Sequence, residues 1–247
     1  MSNVDTYAAA MSQLDRWRHF PDYQLERRTD IYFAIYLRSF LQHHTAIPLQ
    51  PTVIPEFPIK RDLIWPDRPT YKSVKVDYVL FSEDRSNVFF VELKTDNASR
   101  RPEQDDYLAT ARRIGFHAIL DGLLKIITHT TSHHKYFHLL AALSTAGFVE
   151  LPPELSRALF ATPPTAFTHL YDRIQVLPFS PGLQVLYLQP AIEGDSEDHV
   201  DFETFATFLD GRNDAFASCF ASYLRRWTIA AGTIPPAPST TEPLSGA

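Results

Sequence analysis

Apolar and polar positions along the 247-residue chain follow helical and strand periods in turn. Apolar side chains recur at helical spacing from about residue 22 to 43, which predicts a long helix buried on more than one side. Six prolines exclude a helix through 48–70 and leave room for a short edge strand over 52–59. Residues 74–82 and 87–95 are rich in β-branched and aromatic side chains, and the short polar connection between them predicts an antiparallel hairpin.

The second half of the chain is predicted to form further helices and one more strand. Helical periodicity returns at Pro102, which suits a first helical turn, and continues to about residue 127. A second helix is predicted over 134–146, followed by an irregular, proline-rich stretch over 150–170. Residues 183–189 are predicted to form the next strand. A last amphipathic helix is predicted over 201–228, with Gly211 as a possible break.

No linker interrupts this pattern before the C-terminal tail. We therefore predict one domain over residues 1–230 with its core at about 22–190. The Pro/Ser/Thr-rich segment 231–247 is predicted to be disordered. The expected fold class is α/β, with a mixed sheet flanked by helices and extra C-terminal helices.

Composition narrows the class of protein. The chain is 45% hydrophobic and 21% charged, and its length permits a core without disulfides or metal staples. A single cysteine, Cys219, excludes an intramolecular disulfide and a cysteine-rich zinc site. No apolar run approaches the roughly 20 residues that cross a bilayer, and the N-terminus lacks a secretory pattern. We expect a soluble cytoplasmic protein without a membrane partner.

Charge is distributed unevenly along the chain. The net charge is −6, and the excess of acidic residues lies in residues 151–247. This is not the overall basic character of a protein that coats nucleic acid. A cleft in the first two thirds can still be locally positive. The acidic last third is a candidate contact surface for a basic protein partner.

The candidate chemistry lies in the predicted hairpin. Asp77 lies within its first strand, and Glu92 and Lys94 share one face of its second strand because side chains alternate. A hairpin brings Asp77 beside Glu92, so two carboxylates and a lysine converge. Mg²⁺ prefers such oxygen ligands and keeps several waters, and the Leu93 carbonyl offers another oxygen. The lysine would position or activate the attacking water beside a metal that polarises a phosphoryl oxygen.

The order of elements around these residues resembles the PD-(D/E)XK nuclease superfamily, which has the restriction-endonuclease-like fold. The resemblance covers about residues 22–128, with a last core strand at 183–189, and implies an αβββαβ core. Asp77 and Glu92 match the metal-binding carboxylates of that family, and Lys94 matches its catalytic lysine. Members hydrolyse phosphodiester bonds of DNA, or less often RNA, with Mg²⁺ or Mn²⁺, so the resemblance implies the same activity here.

The resemblance also implies further site residues. Glu26 on the first core helix is the candidate for an additional metal ligand, with Asp30 one turn later as the alternative. Gln104 and Tyr107 lie on one face of the helix after the lysine, where some branches use a glutamine and a tyrosine to orient substrate. Their spacing is one residue shorter than the Gln-x-x-x-Tyr pattern of exonuclease-like members.

Several alternatives stay open. Arg100 and Arg101 are either substrate-binding contacts to phosphates or part of a solvated face. The same fold without turnover would be a binding module in a defence, phage or regulatory complex. Glu92 and Lys94 would form only an ion pair in a structural α/β protein. A homodimer is a further option, because cutting both strands favours two-fold symmetry.

Overall fold

A computed structural model gives the arrangement of most of the chain. It describes residues 3–20, 24–67, 70–95, 102–158, 164–191 and 198–232. Two sequence predictions concern residues outside this part: Arg100 and Arg101 as phosphate contacts, and the disordered tail from residue 233 onward. Residues 231 and 232 are the end of a helix.

The described part of the chain contains both helices and strands. The helices are α1 (Asn3–Trp17), α2 (Leu25–Thr45), α3 (Arg61–Ile64), α4 (Pro102–Ile127), α5 (His133–Thr145), α6 (Leu155–Ala158), α7 (Phe202–Asp210) and α8 (Ala215–Gly232), with a 3₁₀ helix at Pro164–Arg173. The strands are β1 (Leu49–Lys60), β2 (Ser73–Ser82), β3 (Asn87–Leu93), β4 (Val149–Glu150), β5 (Gln175–Val176), β6 (Gly182–Gln189) and β7 (His199–Asp201).

Five of these strands form one mixed sheet in the order β1-β2-β3-β6-β7. Strand β2 is antiparallel to both of its neighbours, β1 and β3. Strands β3, β6 and β7 run parallel to one another. The predicted hairpin is therefore confirmed. The apolar run 89–91 places β3 in the middle of the sheet, as a strand buried on both faces requires.

Helices cover both faces of the sheet because alternate strand residues are apolar on both sides. Val79 and Phe81 point into a core shared with α4 and α5. Tyr78 and Leu80 point into the opposite core, which contains residues of α1, α2, α7 and α8. The mixed α/β class with flanking helices is thus as predicted.

An aromatic cluster fixes α4 to the sheet. The buried ring of Phe116 lies 5.9 Å from Phe57, 5.8 Å from Phe81 and 5.2 Å from Phe148, measured between centroids. Gly115, just before it, has a φ of 81°, so the helix is broken there. The continuous helical face predicted for 102–127 therefore belongs to two helical halves.

The proline-rich segments contain more structure than expected. The predicted short edge strand is the 12-residue β1, whose prolines are tolerated because one edge is unpaired. The prediction of no helix through 48–70 is wrong, since one turn, Arg61–Ile64, fits between Pro58 and Pro66. Residues 150–170 are also not wholly irregular, because α6 and the 3₁₀ helix occupy much of them.

The last predicted helix is two helices, α7 and α8, separated near Gly211, which is the break the sequence indicated. No helix in the described ranges is long and apolar enough to cross a membrane. Three acidic residues of this region, all in the described ranges, have partners within the chain. Asp198 pairs with Arg112, Glu203 pairs with Arg225, and Asp201 caps α7.

Candidate active site

The β2–β3 hairpin opens where its polar residues begin. The two strands pair as far as Tyr78 and Val91. One residue further, the Asp77 carboxylate accepts a hydrogen bond of 2.8 Å from the Leu93 amide. This bond takes the place of a backbone hydrogen bond between the two strands. This bond holds the Asp77 side chain at the end of the hairpin, next to Glu92 on the adjacent strand.

Lys94 joins the two strands and α2 in one charged cluster. Its Nζ lies 2.9 Å from Glu92 Oε1 and 3.9 Å from Glu26 Oε2. The Lys94 amide donates to Leu188 O of β6 at 2.8 Å, which keeps its backbone in line with the sheet. Glu92 is 2% exposed and Lys94 is 5% exposed, so their charges face each other with little water between them.

The electrostatics of the cluster are those of two carboxyl groups that share a proton. Burial and the neighbouring Asp77 raise the pKa of Glu92 to about 8, with Lys94 opposing the shift. Burial also raises the pKa of Asp77, although the Leu93 amide opposes this. Each carboxyl group also shifts the pKa of the other. Without a further cation, the pair therefore retains one proton at neutral pH.

Burial and neighbouring charges also shift the pKa values of Lys94 and Glu26. Burial alone would lower the pKa of Lys94, but the charges of Glu92 and Glu26 outweigh it and raise the value. Lys94 thus stays an ammonium ion. Burial raises the pKa of Glu26, with Lys94 opposing. The carboxylate of Asp30, the alternative candidate, instead accepts the amide of Ile31 at 2.6 Å.

Gln104 and Tyr107 reach the cluster from the first half of α4. The Gln104 amide donates to the Glu92 carboxylate. The Tyr107 hydroxyl donates to Lys75 O at 2.9 Å and lies 3.5 Å from Glu92 Oε2. Both side chains therefore orient Glu92, a contact that the sequence did not predict. Their role in orienting substrate stays a prediction.

The cluster lies in an open cleft of about 910 Å³. Besides the cluster, its walls carry basic side chains from several elements: Arg18, Arg27, Arg61 and Lys75. Acidic side chains also line it, including Glu56 and Glu103. The cleft thus surrounds an acidic centre with walls that carry both basic and acidic side chains.

Sequence reasoning missed the wall formed by β1 and α3. Glu56 has a φ of 51° inside β1 and lies between residues that pair with Tyr78 and Val76, at the level of Asp77. Arg61 and Trp65 follow on α3 and just after it. The proline-rich segment that contains all three gave only a weak strand signal, so nothing local linked them to the hairpin.

The donor set fits a hard divalent cation. Mg²⁺ binds through one or two carboxylates and keeps several waters. Asp77 and Glu92 can provide the two carboxylates. The proton that the pair shares marks a place where positive charge is favourable. Glu26 contacts Lys94, and no group of three or more His, Cys, Asp or Glu residues in the described ranges is arranged to hold a metal. The role of Glu26 as a third metal ligand stays a prediction.

Comparisons with known proteins give no match to this chain. No protein-family model matches it, and neither a curated protein nor a solved structure does so. Function must therefore be inferred from the side chains of the cleft and their geometry.

Proposed function

We propose that the chain is a metal-dependent nuclease that hydrolyses phosphodiester bonds of DNA on a restriction-endonuclease-like core. The element order α2-β1-β2-β3-α4-β6 supports the αβββαβ core. So does a sheet whose antiparallel β1-β2-β3 part continues into a parallel β6. These are features of the fold alone, so the activity depends on the site.

One observation carries the proposal. Asp77 and Glu92 meet as an acid pair that lines a large cleft, each shifting the pKa of the other, with the Lys94 ammonium 2.9 Å from Glu92 Oε1. A buried acid pair of this kind is unfavourable unless a cation or a proton compensates it. A site for a divalent ion explains why an acid pair lies in an accessible cleft.

The cation, Mg²⁺ or Mn²⁺, would supply an activated water and a Lewis acid for the phosphoryl oxygen. Asp77 and Glu92 would hold it, and the Leu93 amide and Gln104 keep these carboxylates in place. Lys94 stays protonated, so it would bind a phosphate oxygen and stabilise charge that develops in the transition state. A protonated lysine cannot act as the general base.

Basic side chains in the cleft offer contacts for the phosphates of a polyanionic substrate. A protein with a net charge of −6 has no general attraction for DNA. Arg18, Arg27, Arg61 and Lys75 nevertheless line the same cleft as the acid pair. Such contacts to phosphates position a strand without reading its sequence.

The direct test is cleavage of circular and linear DNA by the full chain with Mg²⁺, Mn²⁺ or EDTA. We expect metal-dependent cutting that Lys94→Ala abolishes while its far-UV circular dichroism stays unchanged. Lys135→Ala, an exposed position on α5, is the matched control and should cut like the wild type. Cutting of circular DNA would identify an endonuclease.

Two other outcomes would contradict the proposal. A folded wild type that binds DNA but cuts under no condition would be a binding module with a nuclease fold. A folded wild type that neither binds DNA nor responds to divalent ions would be a structural protein in which Glu92 and Lys94 are only an ion pair. Full activity of Lys94→Ala would reject the assigned role of the lysine.

A further inference from the structure

The short helix α3 brings an arginine and a tryptophan into the cleft of the acid pair. The Arg61 amide donates to Lys72 O at 2.9 Å, and the Trp65 amide donates to Arg61 O at 3.0 Å. The first bond fixes α3 next to the start of β2, and the second closes the helical turn. Both side chains line the cleft that contains Asp77 and Glu92.

The Arg61 side chain has a buried donor without a partner in the described part of the chain. Its Nε is buried and has no hydrogen-bond partner within the described ranges. Arg112, Arg173 and Arg225, in contrast, each pair with a carboxylate. A buried donor left unsatisfied is unfavourable, and such a group in a native fold calls for an explanation. The Arg61 side chain also lines the cleft and has no ion pair within the described ranges, so an anionic ligand there would meet a cation without a carboxylate partner.

Trp65 adds an aromatic surface next to this arginine. The Arg61 guanidinium lies 5.3 Å from the centroid of the Trp65 ring. The ring is partly buried against the core under α4, and it also lines the cleft. Nucleic-acid bases stack on such rings whatever their sequence. The bases inside a duplex already stack on their neighbours, so only an unpaired base can use this ring.

The register of the sheet gives the distance from this subsite to the acid pair. Lys60, just before Arg61, pairs with Ser73, and Asp77 lies four residues further along β2. At about 3.3 Å per strand residue the separation is about 13 Å. This spans roughly four stacked nucleotides at 3.4 Å each. Lys75 lines the cleft between the two places.

We propose that Arg61 and Trp65 form a substrate subsite in which Arg61 binds a backbone phosphate and Trp65 stacks on an unpaired base, so the substrate is single-stranded DNA. The inference rests on the proposed nuclease function and specifies its substrate. The strand would run from α3 along β2 to the acid pair. Duplex DNA would fit only where its ends or lesions leave bases unpaired.

The test measures binding of fluorescein-labelled dT12 to the full chain in EDTA by anisotropy. Stacking is worth about 1–3 kcal/mol per base, so Trp65→Ala should weaken binding about 5- to 150-fold. Trp17→Ala, at a position that is 40% exposed and does not line the cleft, should leave it within about two-fold. Arg61→Gln should reduce the slope of log K against log salt by about 0.7, whereas the exposed control Arg173→Gln should not.

A spectroscopic readout covers the case in which Trp65→Ala fails to fold. The chain has three tryptophans, and Trp227 is fully buried. Stacking of dT12 should quench the wild-type fluorescence, and Trp65→Phe, which keeps an aromatic side chain, should lose that quenching. An oligonucleotide of two residues should bind much more weakly, since it cannot span the distance to the acid pair.

Unchanged dT12 affinity and quenching in the Trp65 variants would overturn the subsite. So would a 12-base-pair duplex with closed ends that binds as tightly as dT12. These measurements contain no divalent ion and involve no cutting, so they are independent of the hydrolysis test. Metal-dependent cutting of duplex DNA that is unchanged in a folded Trp65→Ala variant would support the nuclease and reject the subsite.

Discussion

Replacing Glu92 with glutamine distinguishes a proton-sharing acid pair from a structural ion pair. Glu92 is 2% exposed, and burial beside Asp77 raises its pKa from 4.5 to about 8. Between these two values the folded protein keeps a proton that the unfolded chain releases, so stability falls as pH rises. Glutamine does not titrate, and it keeps an oxygen for Lys94 and an NH₂ group for Asp77. The stability of the Glu92→Gln variant should therefore not show this fall as pH rises.

The size of the effect follows from the shifted pKa. One pKa unit corresponds to about 1.4 kcal/mol, so the variant should gain roughly 3 kcal/mol on the wild type between about pH 5 and pH 8. For a chain of this length, 1 kcal/mol changes Tm by about 2–4 °C, so the gap in Tm should widen by about 6–12 °C. The gap between the proteins is the relevant quantity, because other titrating groups are common to both.

The assay is thermal unfolding of both proteins in EDTA, followed by circular dichroism at several pH values. Glu150→Gln, at an exposed position on β4, shows the effect of removing a carboxylate that lies outside the cluster. A gap that stays constant with pH would refute the reasoning. A variant that becomes progressively less stable than the wild type at high pH would show that ionised Glu92 stabilises the fold through Lys94.

Two further predictions concern metal binding and the core. Divalent ion at 100 times its Kd should stabilise the wild type by about 2.7 kcal/mol, or about 5–11 °C in Tm, and Asp77→Asn should lose this response. No shift in the wild type would argue against a metal site. Phe116→Ala should cost about 3–5 kcal/mol and lower Tm by about 6–20 °C, because its ring packs among other buried phenylalanines. Phe20→Ala, which is 59% exposed, should change stability by less than about 0.5 kcal/mol, and similar Tm values for the two variants would contradict the packing described.

The central part of the fold and of the site could be predicted because its signals are local. The β-branched and aromatic runs of β2 and β3 define the hairpin, and the apolar residues before Glu92 place β3 at the centre of the sheet. A hairpin with a short connection has little freedom in register. The meeting of Asp77 with Glu92 and Lys94 then follows from side-chain alternation.

The walls of the cleft could not be predicted because they depend on contacts between distant segments. Arg61 and Trp65 lie in a proline-rich stretch whose helical turn is too short for a periodic signal. The contact between the Gln104 amide and Glu92 was not predicted either, because it depends on how α4 packs against the sheet. Ion pairs such as Arg112 with Asp198 likewise join residues far apart in the chain, so the sequence left those acids available.

The most direct test of the central claim is a Mn²⁺ titration in which DNA cleavage and Tm are measured on the same protein. The proposed site predicts that both rise over the same range of Mn²⁺ concentration, since one bound ion supports both effects. It also predicts that Asp77→Asn shows neither. Cleavage that persists in EDTA, or that Asp77→Asn retains at the wild-type level, would contradict a metal-dependent nuclease built on Asp77, Glu92 and Lys94.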